Sequence, residues 1–225
     1  MSFIETIDPR DADEALAAMY LRQQDSWGYV PNYAKIFSHR PEVMARWAQL
    51  LSGIKRSLDK RRFELATFAA AHALRNTACS LAHAAALKPF FTDEEILAIA
   101  EGRWDGVLPE ADQAMLRYAQ QVAVDASAVT AGQVADLKRL GFSDAEVFDI
   151  AATAAGRAFF TKVLDALGVQ ADAPSRGIGE TLLGPLTVGR PVDVQEPLRM
   201  PAPAIPARTA ETSASMRRAA VAACR

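Results

Sequence analysis

Hydrophobic positions along the chain recur at intervals of three and four. Ala15, Leu16, Met19 and Tyr20 form one such group, and Val43, Met44, Trp47, Leu50, Leu51 and Ile54 a second. Met115, Leu116, Ala119 and Val122 make a third, and Val147, Ile150, Ala151, Ala154, Ala155 and Phe159 a fourth. This is the spacing of one face of an α-helix, and no stretch keeps a two-residue alternation for long, so the pattern predicts an all-α fold.

Helix boundaries follow from the polar residues between these groups. Asp8-Pro9 begins the first helix, with Asp11 and Glu14 as a capping pair, and Asn32–Phe37 forms one short helix after the turn at Trp27–Pro31. Pro41 and Pro109 suit first helical positions, and Asp59 starts a helix. Thr92 with Glu95, Thr130 with Gln133 and Ser143 with Glu146 have capping-box spacing. Pro89, Gly102 and Gly141 mark helix ends.

The composition changes after Asp172. Seven of the twelve prolines fall between residues 173 and 208, a density that predicts no regular helix. The chain divides on this basis into an all-helical domain, residues 1–172, and a Pro/Ala-rich arm or tail, residues 173–225. An extended arm carrying Leu182, Leu183, Leu186 and Val188 could wrap a neighbouring subunit. The alanine-rich residues 209–225 predict a short terminal helix.

Length and charge narrow the function. The 225 residues, half of them hydrophobic, suffice for one well-packed domain. A net charge of −2 and a pI near 6.0 argue against a nucleic-acid partner. No apolar run approaches the roughly 20 residues that span a bilayer, and the acidic N-terminus has no leader pattern. Cys79 and Cys224 form no disulfide framework, no Cys/His group has zinc spacing, and no glycine-rich phosphate loop occurs. No metal or organic cofactor is expected, and the cysteine usage fits a reducing cytoplasm.

The candidate chemistry lies in Phe63–Leu87. Cys79 and His83 are four residues apart, on one helical face, and the polar run Arg75-Asn76-Thr77 starts their helix. Cys79 then lies in a first turn, where free N–H groups and the helix dipole favour a thiolate. Glu64 shares a stripe with Phe68 and Ala71 on the preceding helix. A carboxylate, an imidazole and such a thiol are the parts of a proton-relayed thiol chemistry. A cysteine in an alanine-rich helix is more often a small core residue. His72 and His39 read as structural and surface residues.

The stretch resembles the alkylhydroperoxidase AhpD-like / carboxymuconolactone decarboxylase family. The family's redox members carry Glu, eleven residues, Cys, two residues, Cys, three residues, His. Here Glu64, Asn76, Cys79 and His83 stand at that spacing, with Asn76 in place of the first cysteine. Flanking text extends the resemblance to about residues 10–172. It implies an AhpD-like helical bundle, Cys79 as the peroxide-attacking cysteine, and His83 and Glu64 as the relay. It also implies a homo-oligomer, a small-molecule substrate, and a Val-Pro-Asn turn close to the active-site helix.

Because the resolving cysteine is missing, a peroxidase would need an external thiol reductant. Asn76 would donate a hydrogen bond to the thiolate or substrate. Three readings follow. One is a one-cysteine, antioxidant peroxidase. The second is a decarboxylase-type enzyme using His83 and Glu64 for proton transfer, with Asn76 binding the substrate. The third is an inactive binding or assembly relative. Cys224, near the chain end, is either an unimportant thiol or a replacement resolving cysteine brought in by the tail.

Overall fold

A computed structural model describes residues 2–55 and 58–200. The expectations for Cys224 and for a helix over residues 209–225 fall outside the described residues. Ten α-helices are present among those described: α1 Glu14–Trp27, α2 Asn32–Ile36, α3 Pro41–Ile54, α4 Lys60–Ala73, α5 Thr77–Leu87, α6 Asp93–Ala100, α7 Glu110–Asp125, α8 Ala131–Arg139, α9 Asp144–Ala166 and α10 Glu180–Leu186. Single 3-10 turns fill several gaps, and the only β feature among these residues is an isolated bridge between Val30 and Leu198. The all-α expectation holds.

Most of the local punctuation is as read. All three capping boxes form with both halves present, at Thr92/Glu95, Thr130/Gln133 and Ser143/Glu146. Asp59 caps α4 by accepting from the Arg62 amide. At the first helix the capping pair differs from expectation. Asp13, not Asp11, accepts from the Leu16 amide, and Asp11 ends a 3-10 turn that Asp8 caps.

The centre of the bundle is α4. Every residue from Phe63 to Ala71 is buried, because this largely apolar stretch packs against α5, α7 and α9 at once. Its polar N-terminal end is fastened to α7 by Asp112, which is fully buried and takes hydrogen bonds from both Arg61 and Arg62. A second cluster forms where α1, α2 and α3 lie on the C-terminal half of α9. It includes Leu16, Met19, Tyr20, Phe37, Met44 and Phe160, and Cys79 belongs to it.

The segment after Asp172 departs from expectation. It holds a 3-10 turn, Ala173–Ile178, and the helix α10, with Pro185 inside it. Leu182 and Leu186 are fully buried and join the main core, so they pack within the chain instead of reaching for a neighbour. The proline is tolerated because α10 is so short. Its first four N–H groups lack helical partners anyway, so Pro185 removes one ladder bond, and two buried leucines offset that. Residues 187–200 then run without helix across the start of α5. Gly189 donates its N–H to Thr77 Oγ1 at 2.9 Å, and Arg190 donates to the Asp165 carbonyl. A Cβ on Gly189 would collide with the Arg75 carbonyl oxygen, so only glycine allows this approach.

Candidate active site

The turn between α4 and α5 sets the geometry of the site. The Asn76 amide donates to the Ala71 carbonyl at 3.2 Å and the Arg75 amide to the His72 carbonyl at 2.9 Å. This is a Schellman closure, and its left-handed residue is Arg75 at φ 59° instead of the usual glycine. The chain reverses within three residues, and α5 starts directly beside the helix that carries Glu64.

Asn76 caps α5. Its Oδ1 accepts from the Cys79 amide at 2.8 Å, and its Nδ2 donates to Asp165 Oδ1 at 2.9 Å. With the residue 1% exposed, the amide works between a backbone N–H and a carboxylate of α9. The anticipated hydrogen bond from Asn76 to the sulfur or to a substrate is thus replaced, in this structure, by a capping bond and an inter-helix bond.

Glu64 and His83 meet. His83 Nδ1 lies 2.7 Å from Glu64 Oε2, with the carboxylate buried and the imidazole side chain 15% exposed. An ionised carboxylate only accepts, so Nδ1 carries the proton and Nε2 is left as a base. The charges agree. Burial pushes His83 down, and Arg157 adds to this, against the upward pull of Glu64. Burial alone would raise Glu64, yet the hydrogen bond from His83 and the nearby cations hold it below the ordinary value.

Cys79 is in the first turn of α5, as expected, but its surroundings do not favour the thiolate as a helix N-terminus would. The sulfur is 4% exposed, and burial pushes its pKa up. Arg157 pulls it down, Asp165 pushes it up, and the outcome lies above the ordinary value. The Cys79 N–H, one of the open donors of this helix start, is taken by Asn76.

Arg157 is the residue the sequence reading missed. It comes from α9, 5% exposed, and its Nη1 lies 3.6 Å from Cys79 Sγ. Its guanidinium is over the rings of Trp47 and Phe160, at 5.3 and 5.4 Å. The signal was present: Ile150, Ala154, Arg157 and Thr161 are spaced at three or four, so a charge occupies the core-facing stripe of an apolar helix.

The remaining histidines lie elsewhere. His39 is exposed, with Nε2 2.8 Å from the Glu5 carbonyl, and His72 stacks on Phe68. The Val-Pro-Asn turn reaches the same apolar cluster as Cys79: Val30 is in it, and Tyr33 meets Phe160 edge-on at 5.5 Å. A cavity of about 510 Å³ lies on another face, lined by residues of the N-terminus and by Asn32, Lys35 and Gln170, and it holds none of the site residues. The candidate site is picked out by its buried ionisable groups and not by that cavity. Among the described residues no group of three or more His, Cys, Asp or Glu could hold a metal, and no helix is long and apolar enough to cross a membrane.

The architecture is that of the AhpD-like helical proteins. An alkylhydroperoxidase AhpD core, an uncharacterized peroxidase-related protein from Ralstonia eutropha JMP134, superposes with a TM-score of 0.69 at 22% identity, over 82% of this chain and 96% of that one. An uncharacterized peroxidase-related protein from Silicibacter sp. TM1040 also gives 0.69, at 18% identity, over 78% and 94%. The debrominase Bmp8, as a cysteine-to-alanine variant in complex with 2,3,4-tribromopyrrole, gives 0.65 at 16% identity, over 79% and 96%. Residues 41–103, which contain Glu64, Asn76, Cys79 and His83, match the Carboxymuconolactone decarboxylase family. The family match covers that segment, and the AhpD-like fold is shared over about four-fifths of the chain. No curated protein matches it.

Proposed function

We propose that this protein is a thiol-dependent oxidoreductase that reduces a hydroperoxide through Cys79. The observation that carries the reading is the Glu64–His83 hydrogen bond between α4 and α5, with His83 one turn from Cys79 on α5. The bare His83 Nε2 takes the thiol proton. The thiolate attacks one peroxide oxygen, an S–O bond forms and the O–O bond breaks. Sulfur is oxidised to a sulfenic acid, and the leaving alkoxide takes the proton from His83. An external thiol displaces water from the sulfenic acid to give a mixed disulfide. A second external thiol then frees Cys79, leaving an external disulfide. Asn76, in the place of a resolving cysteine, acts by holding the start of α5.

Hydroperoxide consumption with a dithiol reductant tests this. Cys79→Ser is expected to abolish it, and His83→Ala to lower kcat/KM by about 10²–10⁴. Consumption that persists in Cys79→Ser overturns the reading.

A second reading draws on the upward push on Cys79. A sulfur that stays protonated suits a proton-transfer enzyme of the decarboxylase type, with His83 as base and Glu64 as its partner. Under it, Cys79→Ser would keep activity on a small carboxylate or lactone while His83→Ala loses it. A homo-oligomer remains part of the proposal. Phe148, 68% exposed, and the exposed Phe159 lie on one face of α9 and would be covered in it. A reducing cytoplasm would supply the thiol.

A further inference from the structure

A buried guanidinium without an anion is costly, because the charge leaves water and must find compensation. Arg157 is in that state. Among the described residues no carboxylate lies within ion-pair distance of it, and its Nε, fully buried, has no acceptor. Its polar contact through Nη1 is with Cys79 Sγ at 3.6 Å. The guanidinium lies 5.3 and 5.4 Å from the ring centroids of Trp47 and Phe160, and Phe160 in turn stacks on Trp47 with centroids 4.1 Å apart. Trp47 donates its indole N–H to the Gly156 carbonyl at 3.0 Å, next to Arg157 in the chain. The arrangement holds a cation beside a sulfur, and the Glu64 carboxylate acts on it only from beyond ion-pair distance.

We infer that Arg157 is a catalytic residue whose anion is the Cys79 thiolate: its guanidinium receives the negative charge when the thiol proton leaves. This rests on the thiol reading above. Within that reading, the step moves a proton from Sγ to His83 and leaves an Arg157–thiolate pair in place of a cation with no anion in contact. Other charged groups act on the sulfur or on its base. Glu64 of α4 holds His83 of α5. Lys55, after α3, acts on both of these. Asp165 of α9 opposes the thiolate, and Arg190, from the segment crossing α5, partly offsets Asp165. Arg157 is the cation that touches the sulfur.

The test reads sulfur ionisation and uses no peroxide. In a Cys224→Ser background, the thiolate ultraviolet absorbance is followed against pH for the parent, Arg157→Met and Arg157→Lys. Removing the cation is expected to move the Cys79 midpoint up by about 1–3 pH units. Lysine, which keeps the charge, is expected to restore most of that. A midpoint unchanged in a folded Arg157→Met variant overturns the assignment. A second measurement needs no substitution at Arg157. The ratio of alkylation rates with anionic iodoacetate and neutral iodoacetamide is compared with that of a small free thiol. A cation at the sulfur raises the ratio by about ten-fold, equivalent to a one-unit effect, and an equal ratio overturns the proposal. A shifted midpoint in a protein that consumes no peroxide keeps Arg157 and sinks the peroxidase reading. Peroxide consumption with an unshifted midpoint does the reverse.

Discussion

Asn76 does two jobs with one amide. Its oxygen satisfies the Cys79 N–H, one of the donors that every helix start leaves open, and its nitrogen ties α5 to Asp165 on α9. The sequence reading recognised a helix start near Asn76 because capping is written in neighbouring residues. The partner on α9 is 89 residues away, so the sequence alone points this side chain to the thiolate or substrate. Asn76→Ala removes the cap and leaves the Asp165 carboxylate short of a donor. A loss of stability on the order of 2 kcal/mol is expected in urea unfolding. An unchanged midpoint would mean that water replaces both bonds at no cost. Cys79 itself is read differently at this scale than in the sequence. Its position near an N-terminus was legible, but its burial was not, and burial reverses the expected direction of its ionisation.

At the scale of the elements, α4 organises the molecule because its alanine-rich length admits neighbours on three sides. Its closest neighbour, α7, is anchored by Asp112 between Arg61 and Arg62. The carboxylate is fully buried and the two cations are partly exposed. Deleting it leaves two charges facing an apolar gap. Because water reaches both arginines, Asp112→Ala is expected to cost roughly 1.5–3 kcal/mol, seen as a lower urea midpoint. A loss near zero would show that the α4–α7 contact is held by packing alone. The three capping boxes were readable in full, since each is a pattern of four consecutive positions. The helix α10 was not, because proline density is a local penalty and the burial of Leu182 and Leu186 that outweighs it comes from α5 and α6.

At the scale of the whole molecule, the buried ionisable groups set the response of stability to pH. His83 and Glu64 have lowered pKa values in the fold. Their contribution is complete above the ordinary histidine value near ~6.5 and is lost as pH falls through their folded values. Cys79, raised, contributes below the ordinary thiol value near ~8.5 and loses that as pH rises. Asp172, pushed up by burial to about 6, acts in the opposite sense to His83: its contribution is present in acid and is lost as pH rises through about 6. Thermal unfolding is therefore expected to be most resistant between about 6.5 and 8.5. In His83→Gln the loss between pH 7 and pH 5.5 should be smaller than in the parent. An identical acid limb in the two proteins would contradict a neutral, partly buried His83.

Nearest-neighbour rules settled most of the secondary structure, α10 excepted. Caps, proline starts, glycine stops and three-four spacing are interactions among residues a turn apart, so the chain text carries them, together with the Cys79–His83 spacing and the family pattern at Glu64. What required the folded chain was every quantity summed over distant elements. The Glu64–His83 bond joins two helices, Arg157 reaches Cys79 across 78 positions, and Asp165 reaches Asn76 across 89. Burial and charge at a point depend on whatever packs around it, and no local pattern encodes that.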